Sequence, residues 1–245
     1  MFPLECLTPT QCYVLILPDE PTDEMMVFLH GLGDKAQNFA RTSIVSTVRQ
    51  AMKSGEMEPA IILIPDGDRG YWMDWIDGTH LYETWTLDTI GATAEHYGIA
   101  SMSVVGVSMG GYAALSIGLR HPDLFHSIVA YSPTDLEIAL QKSPNLPVYH
   151  NMFGDVFYRE YAYAMNPREL VLRGAGHHQS IYWIVGDQEQ DKFWQGSHRL
   201  EAAMLAQGLD PNIHVVIGGD HSFQNTWTVA STNWWIEQWQ IGESR

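Results

Sequence analysis

The sequence predicts an α/β fold in which a mostly parallel central sheet carries helices on both faces. Strand and helix patterns alternate through residues 25–131, as consecutive βαβ units require. Continuous apolar runs such as residues 60–64 indicate strands that are covered on both faces. The chain has 245 residues without internal repeats or a Gly/Ser linker. These features favour a single domain over residues 1–245, with a small cap segment expected at about 134–178, where the periodicity weakens.

The predicted elements follow from apolar periodicity and from turn residues. Strands are predicted at residues 13–17, 25–29, 60–64, 102–107, 125–131, 181–185 and 213–217. Helices are predicted at residues 38–53, 81–97, 109–120, 194–207 and 225–239, with shorter ones at 135–141 and 157–164 in the cap segment. Gly98 is expected to end the helix over 81–97, because glycine adopts the left-handed backbone of a helix C-terminus.

Composition and charge argue against some classes of binding partner. A net charge of −16 without a basic patch argues against nucleic acid or an anionic membrane surface. The apolar runs are too short to span a bilayer, and the N-terminus lacks the pattern of a signal peptide, so a cytoplasmic location is expected. Cys6 and Cys12 do not make a disulfide framework, and the pair His177-His178 lacks a third ligand. No metal and no cofactor are expected, and oligomeric state is not indicated.

A Gly-x-Ser-x-Gly motif stands between the strand over 102–107 and the helix over 109–120, with Ser108 at its centre. A strand, a very tight turn and a helix form a nucleophile elbow, which holds a serine in a strained backbone conformation. Gly106 and Gly110 remove the side chains that would clash in such a turn. Ser108 is therefore the predicted nucleophile.

A serine hydroxyl needs an adjacent base, and histidine has a suitable pKa for that role. On such an elbow the partners follow in the order serine, acid, histidine. His221 lies in a Gly-rich loop after the last predicted strand and is the predicted base. Asp187, Glu189 and Asp191 all follow the strand over 181–185, and the residues themselves leave Asp187 and Asp191 open as the acid.

The second predicted strand runs into a His-Gly-x-Gly loop that begins at His30. This loop reaches the carboxyl edge of the sheet, where ligands bind in α/β folds. The backbone N–H groups of Met109 and Leu32 are the predicted oxyanion hole. His30, Trp72 and Trp194 are the candidate substrate-binding residues.

These stretches resemble the esterase family of α/β-hydrolases that includes S-formylglutathione hydrolases, feruloyl esterases and mycolyltransferases. The resemblance rests on residues 106–115 with the following strand, and on the loop over 28–34. It implies an α/β-hydrolase fold. Feruloyl-esterase-like members carry an Asp, an Arg-apolar pair and then Gly-Gly-x-His, and this order favours Asp191 over Asp187. The family usually places the acid three residues past the glycine at position 186, where this chain has Glu189, so Asp191 implies a longer turn.

The predicted function is that of a serine esterase, which hydrolyses carboxylic or thio esters through an acyl-enzyme. The expected substrate is a small, neutral ester with an aromatic or short acyl group. Two alternatives remain at this point: an acyltransferase that uses the same triad with an alcohol acceptor, and a non-catalytic binding protein of the same fold.

Overall fold

The computed structural model describes residues 4–8, 11–142, 149, 152 and 164–243. Its centre is an eight-stranded sheet with the spatial order β1-β2-β4-β3-β5-β6-β7-β8. The strands are β1 Glu5–Thr8, β2 Gln11–Ile16, β3 Glu24–Leu29, β4 Ile61–Pro65, β5 Ser101–Val107, β6 Ser127–Tyr131, β7 Ser180–Gly186 and β8 Asn212–Val216.

Six neighbouring strands, from β4 to β8, run parallel, whereas β1 and β2 are antiparallel additions at one edge. Strand β3 lies between β4 and β5, so the loop after β3 and the turn after β5 meet at the same carboxyl edge. This topology, with its helical connections, confirms the predicted α/β-hydrolase fold.

Helices cover both faces of the sheet. They are α1 Ala36–Phe39, α2 Ser43–Ser54, α3 Tyr82–Tyr97, α4 Met109–Arg120, α5 Leu136–Lys142, α6 Pro167–Leu172, α7 Asp191–Ala206 and α8 Val229–Glu243. Alternate residues of one strand enter separate cores, because successive side chains point to opposite faces. Val27 and Leu29 pack into one core, and Met26 and Phe28 pack into the other.

Three helix predictions differ from the structure at their ends. The helix predicted over 38–53 is divided into α1 and α2, because Thr42 has the extended backbone of an N-cap. Helix α7 begins at Asp191, three residues before the predicted start. Helix α8 begins at Val229 because residues 222–227 form turns around Ser222, whose carbonyl accepts hydrogen bonds from two later amides.

The cap segment is described only in part. It contains α5 and α6, and the helix predicted over 157–164 falls outside the described residues except at its last position. The assignment of 134–178 as a cap therefore stays a prediction.

Cys6 and Cys12 form a disulfide across the antiparallel pair β1 and β2, where they lie directly opposite each other. Neither this bond nor strand β1 was predicted from the sequence. Disulfides persist mainly in oxidising compartments, so this bond does not support the predicted cytoplasmic location, which stays a prediction. Within the described part of the chain, none of the helices is long and apolar enough to cross a bilayer.

Candidate active site

Ser108 occupies the tight turn between β5 and α4. Its backbone has φ 58° and ψ −112°, a conformation that residues other than glycine rarely adopt. A Cβ atom at position 106 would lie 1.9 Å from the Gly110 carbonyl oxygen, and one at position 110 would lie 2.0 Å from the Leu29 oxygen. Only glycine fits at both positions. The Ser108 N–H donates to the Tyr131 carbonyl at 2.7 Å, which anchors the turn to β6.

His221 stands beside this serine, in the loop that follows β8. Its Nε2 lies 2.8 Å from Ser108 Oγ. The Phe193 ring stacks on the imidazole at 3.7 Å between centroids, and the Trp227 ring meets it edge-on at 4.5 Å. The Phe193 and Trp227 rings therefore hold the imidazole in an orientation in which Nε2 faces the Ser108 hydroxyl.

Glu189 is the carboxylate that faces the other nitrogen of His221. Its Oε2 lies 2.6 Å from His221 Nδ1, and its side chain is fully buried. The second oxygen, Oε1, accepts hydrogen bonds from the Gly186 amide at 2.8 Å and from Ser132 Oγ at 2.6 Å. Serine, histidine and glutamate thus form a continuous chain of hydrogen bonds, in the order and with the contacts of a serine-hydrolase triad.

The structure corrects the predicted acid. Asp191, the first residue of α7, forms a half-exposed ion pair with Lys142. Asp187, the alternative, accepts the Gly218 amide at 2.7 Å. The prediction that either of them faces His221 is therefore wrong. The usual family spacing of three residues past Gly186 was the signal that could have identified Glu189.

The predicted oxyanion groups lie where the elbow and the first loop meet. A Cβ atom at position 31 would be 3.6 Å from Ser108 Cβ, so the loop backbone passes directly beside this serine. Leu32 borders the same cavity as Ser108. Met109 follows Ser108 directly and is the first residue of α4. A helix N-terminus also adds a positive field at this point. The catalytic role of the two N–H groups stays a prediction.

A cavity of about 450 Å³ opens above Ser108 and His221. Its apolar walls are mainly aromatic and come from three segments: Tyr71 after β4, Phe193 at the start of α7, and Phe223 with Trp227 in the turns before α8. Burial raises the pKa of the Tyr71 hydroxyl, so this group stays neutral and can serve as a hydrogen-bond donor. Burial also lowers the pKa of the Lys192 ammonium at the cavity wall.

The three predicted substrate-binding residues do not line this cavity. His30 is fully buried, and its Nε2 accepts the Gly67 amide at 3.0 Å. Trp72 is also buried, and its indole N–H donates to the His30 carbonyl at 3.3 Å. The Trp194 ring contacts His198 of the same helix and does not border the cavity. These predictions are therefore wrong. His30 and Trp72 instead connect the loop after β3 with the loop after β4.

The chain outside the site offers no assembled metal ligands where it is described. His177 and His178 are exposed in the turn before β7. Among residues 4–8, 11–142, 149, 152 and 164–243, no three side chains of His, Cys, Asp or Glu converge on a common point.

The family model described as "Putative esterase" matches residues 13–240. No curated protein sequence matches significantly.

Solved structures share the fold at low sequence identity. A ferulic acid esterase is 19% identical with a TM-score of 0.72, covering 95% of both chains. Fluorophosphonate-binding serine hydrolase F of Staphylococcus aureus is 17% identical with a TM-score of 0.76, covering 96% of this chain and 97% of that one. An S-formylglutathione hydrolase from Agrobacterium tumefaciens is 18% identical with a TM-score of 0.70, covering 97% and 92%. The resemblance seen in the sequence is confirmed.

Proposed function

Because the chain belongs to the esterase family, we propose that it is a serine esterase that hydrolyses carboxylic or thio esters through an acyl-enzyme. The observation that carries this proposal is the chain of hydrogen bonds from Ser108 through His221 to Glu189. A serine in a strained turn, hydrogen-bonded to a histidine that is oriented by a buried carboxylate, is equipped for nucleophilic attack on a carbonyl.

In the first half-reaction, Ser108 Oγ attacks the ester carbonyl while His221 Nε2 removes the hydroxyl proton. The carbonyl oxygen becomes an oxyanion, which accepts hydrogen bonds from the N–H groups of Met109 and Leu32. Glu189 holds Nδ1 as the protonated nitrogen and stabilises the imidazolium. The tetrahedral intermediate then expels the alcohol or thiol, which takes the proton from His221 and leaves an acyl group on Ser108.

In the second half-reaction, His221 removes a proton from a water molecule that attacks the acyl carbonyl. A second oxyanion forms at the same two N–H groups. When it collapses, the bond to Ser108 Oγ breaks, His221 returns the proton to the serine, and the carboxylic acid leaves. Every proton transfer uses His221 Nε2, so this reaction needs neither a metal nor a redox cofactor.

The substrate that we propose is a small ester with a neutral aromatic or short acyl group. The aromatic walls of the cavity support this choice, since flat apolar groups stack on aromatic side chains. The fold is also shared with a ferulic acid esterase, whose name refers to an aromatic acid. Esters of aromatic and short aliphatic acids, compared in one panel, test the preference.

Hydrolysis of p-nitrophenyl acetate by the wild type and by Ser108→Ala tests the mechanism. We expect the variant to lose at least about 1,000-fold in kcat and to lose labelling by a fluorophosphonate probe. Ser116→Ala is the control, because Ser116 is a buried serine of the same helix whose hydroxyl donates to the Met165 carbonyl. A Ser108→Ala enzyme that keeps most of its activity would rule the mechanism out. Product analysis with an added alcohol separates hydrolysis from acyl transfer.

A further inference from the structure

Four side chains form a closed ring behind the catalytic face of His221. His221 contacts Glu189, which accepts a hydrogen bond from Ser132. Ser132 in turn accepts a hydrogen bond from Trp227, and the Trp227 ring contacts His221 edge-on. The residues come from the ends of β6, β7 and β8 and from the turn before α8. Neither Ser132 nor Trp227 was predicted from the sequence to belong to this site.

The direction of each hydrogen bond in the ring follows from the chemistry of the donors. The Trp227 indole N–H can only donate, so Ser132 Oγ must accept it, at 2.7 Å. The hydroxyl keeps one proton, which it donates to Glu189 Oε1 at 2.6 Å. With the Gly186 amide on Oε1 and His221 on Oε2, the carboxylate receives three donors. Three donors thus satisfy the two carboxylate oxygens, although the side chain is fully buried.

We propose that Ser132 is a positioning residue, which turns the Glu189 carboxylate so that Oε2 faces His221 Nδ1, and that Trp227 orients the Ser132 hydroxyl for this task. The proposal rests on the proposed esterase function and deepens it. A glutamate has one more rotatable bond than an aspartate, so its carboxylate needs a second fixed contact to keep one orientation.

The backbone of Ser132 adds an independent argument. Its φ is 46°, in the left-handed region where residues other than glycine are uncommon. The residue is fully buried, and its amide donates to the Ile184 carbonyl at 2.7 Å. Glycine would fit this backbone with less strain, but it would lack the hydroxyl. Strained residues of this kind cluster at functional sites, where the surrounding structure holds them.

Loss of the hydroxyl has two consequences that a packing defect does not share. The carboxylate is free to turn away from Nδ1, and the imidazolium formed during catalysis is then less stabilised. The acid limb of the pH profile of kcat/KM therefore moves to lower pH.

The test compares Ser132→Ala and Ser132→Gly with Ser127→Ala in the intact protein. Ser127 is an equally buried serine of β6, remote from the site, whose hydroxyl bonds the Ser180 carbonyl. With p-nitrophenyl acetate, we expect both Ser132 variants to lose about 10- to 100-fold in kcat, the worth of a hydrogen bond to a charged group. Their acid limb moves to lower pH, whereas Ser127→Ala keeps the wild-type rate and profile. Ser132→Gly guards against misfolding, because it relieves the backbone strain.

Wild-type kcat in the Ser132 variants overturns the proposal. So does a loss of rate with an acid limb that stays in place or moves to higher pH. Trp227→Phe keeps an aromatic ring beside His221 and removes only the donor, and we expect a smaller shift of the acid limb in the same direction. Fluorophosphonate labelling distinguishes a failure of the esterase function from a failure of the positioning role of Ser132. A wild type that is not labelled at Ser108 refutes the esterase function, whereas Ser132 variants labelled at the wild-type rate refute only the positioning role.

Discussion

The phenyl ring of Phe193 lies parallel to the imidazole of His221, with 3.7 Å between centroids and 17° between planes. Phe193 stands in the first turn of α7, whose core-facing residues are anchored against the sheet. The loop that carries His221 is largely exposed or half-buried over residues 217–223. The orientation of the base therefore depends on a helix that carries none of the triad residues.

Phe193→Ala should lower kcat without abolishing it. Stacked aromatic pairs contribute about 0.5–1.5 kcal/mol beyond their buried area, so a loss of about 2- to 10-fold is expected. Trp194→Ala is the control, because the neighbouring ring does not border the cavity. Equal losses in the two variants would mean that the effect comes from α7 as a whole rather than from the stack.

Exchange of one carboxylate for its amide identifies the acid directly. Glu189→Gln should cost about 10⁴-fold in kcat, because an amide cannot hold the histidine tautomer or stabilise the imidazolium. Asp191→Asn should change kcat by less than about twofold, since this half-exposed carboxylate pairs only with Lys142 among the described residues. Steady-state kinetics on one ester suffices. The opposite ranking would restore Asp191 as the acid.

Gly110→Ala should destabilise the protein strongly. The new Cβ would meet the Leu29 carbonyl at 2.0 Å, a backbone atom that cannot move aside, and a cost of about 3 kcal/mol or more is expected. Gly91→Ala makes the same change in the exposed middle of α3, where the Cβ has free space. That variant should gain about 0.5–1 kcal/mol from helix propensity. Urea unfolding measures both, and a stable Gly110→Ala protein would contradict the elbow geometry.

Asp66 should make stability sensitive to acid. Burial alone would raise the pKa of this carboxyl, but contacts with His30 and Lys35 outweigh it and hold the pKa below its usual value of 3.8. The resulting stabilisation is complete above about pH 4 and is lost as the pH falls through the lowered pKa. The stability gap between wild type and Asp66→Asn should therefore be constant near neutral pH and shrink in acid.

Urea midpoints measured from about pH 3 to pH 7 test this sign. Asp123→Asn, a change at an exposed carboxyl, is the control. A gap between wild type and Asp66→Asn that widens on acidification would show that the carboxyl is destabilising when charged.

Local rules predicted the elbow well. The two glycines around Ser108 follow from steric contacts within one strand and one helix, so the sequence pattern alone carries the information. The parallel pairing of the strands follows in the same way from βαβ alternation. Helix ends were less accurate where a single extended residue, Thr42, interrupts a continuous apolar pattern.

The acid could not be assigned by local rules, because its direction depends on contacts that are distant in sequence. Glu189 is held by Ser132 from another strand, and Asp191 is turned outward by the start of α7. Trp72 was misread for a similar reason. Its positive φ of 60° turns the loop inward and buries a residue expected at the cavity.

The end of β6 contacts both halves of the triad. The Tyr131 carbonyl accepts the amide of the nucleophile, and the next residue, Ser132, holds the acid. A displacement of β6 therefore moves Ser108 and Glu189 together. The distance between these two residues changes little when the strand shifts. Thermal breathing of the sheet should therefore leave the triad aligned until β6 itself detaches from its neighbours.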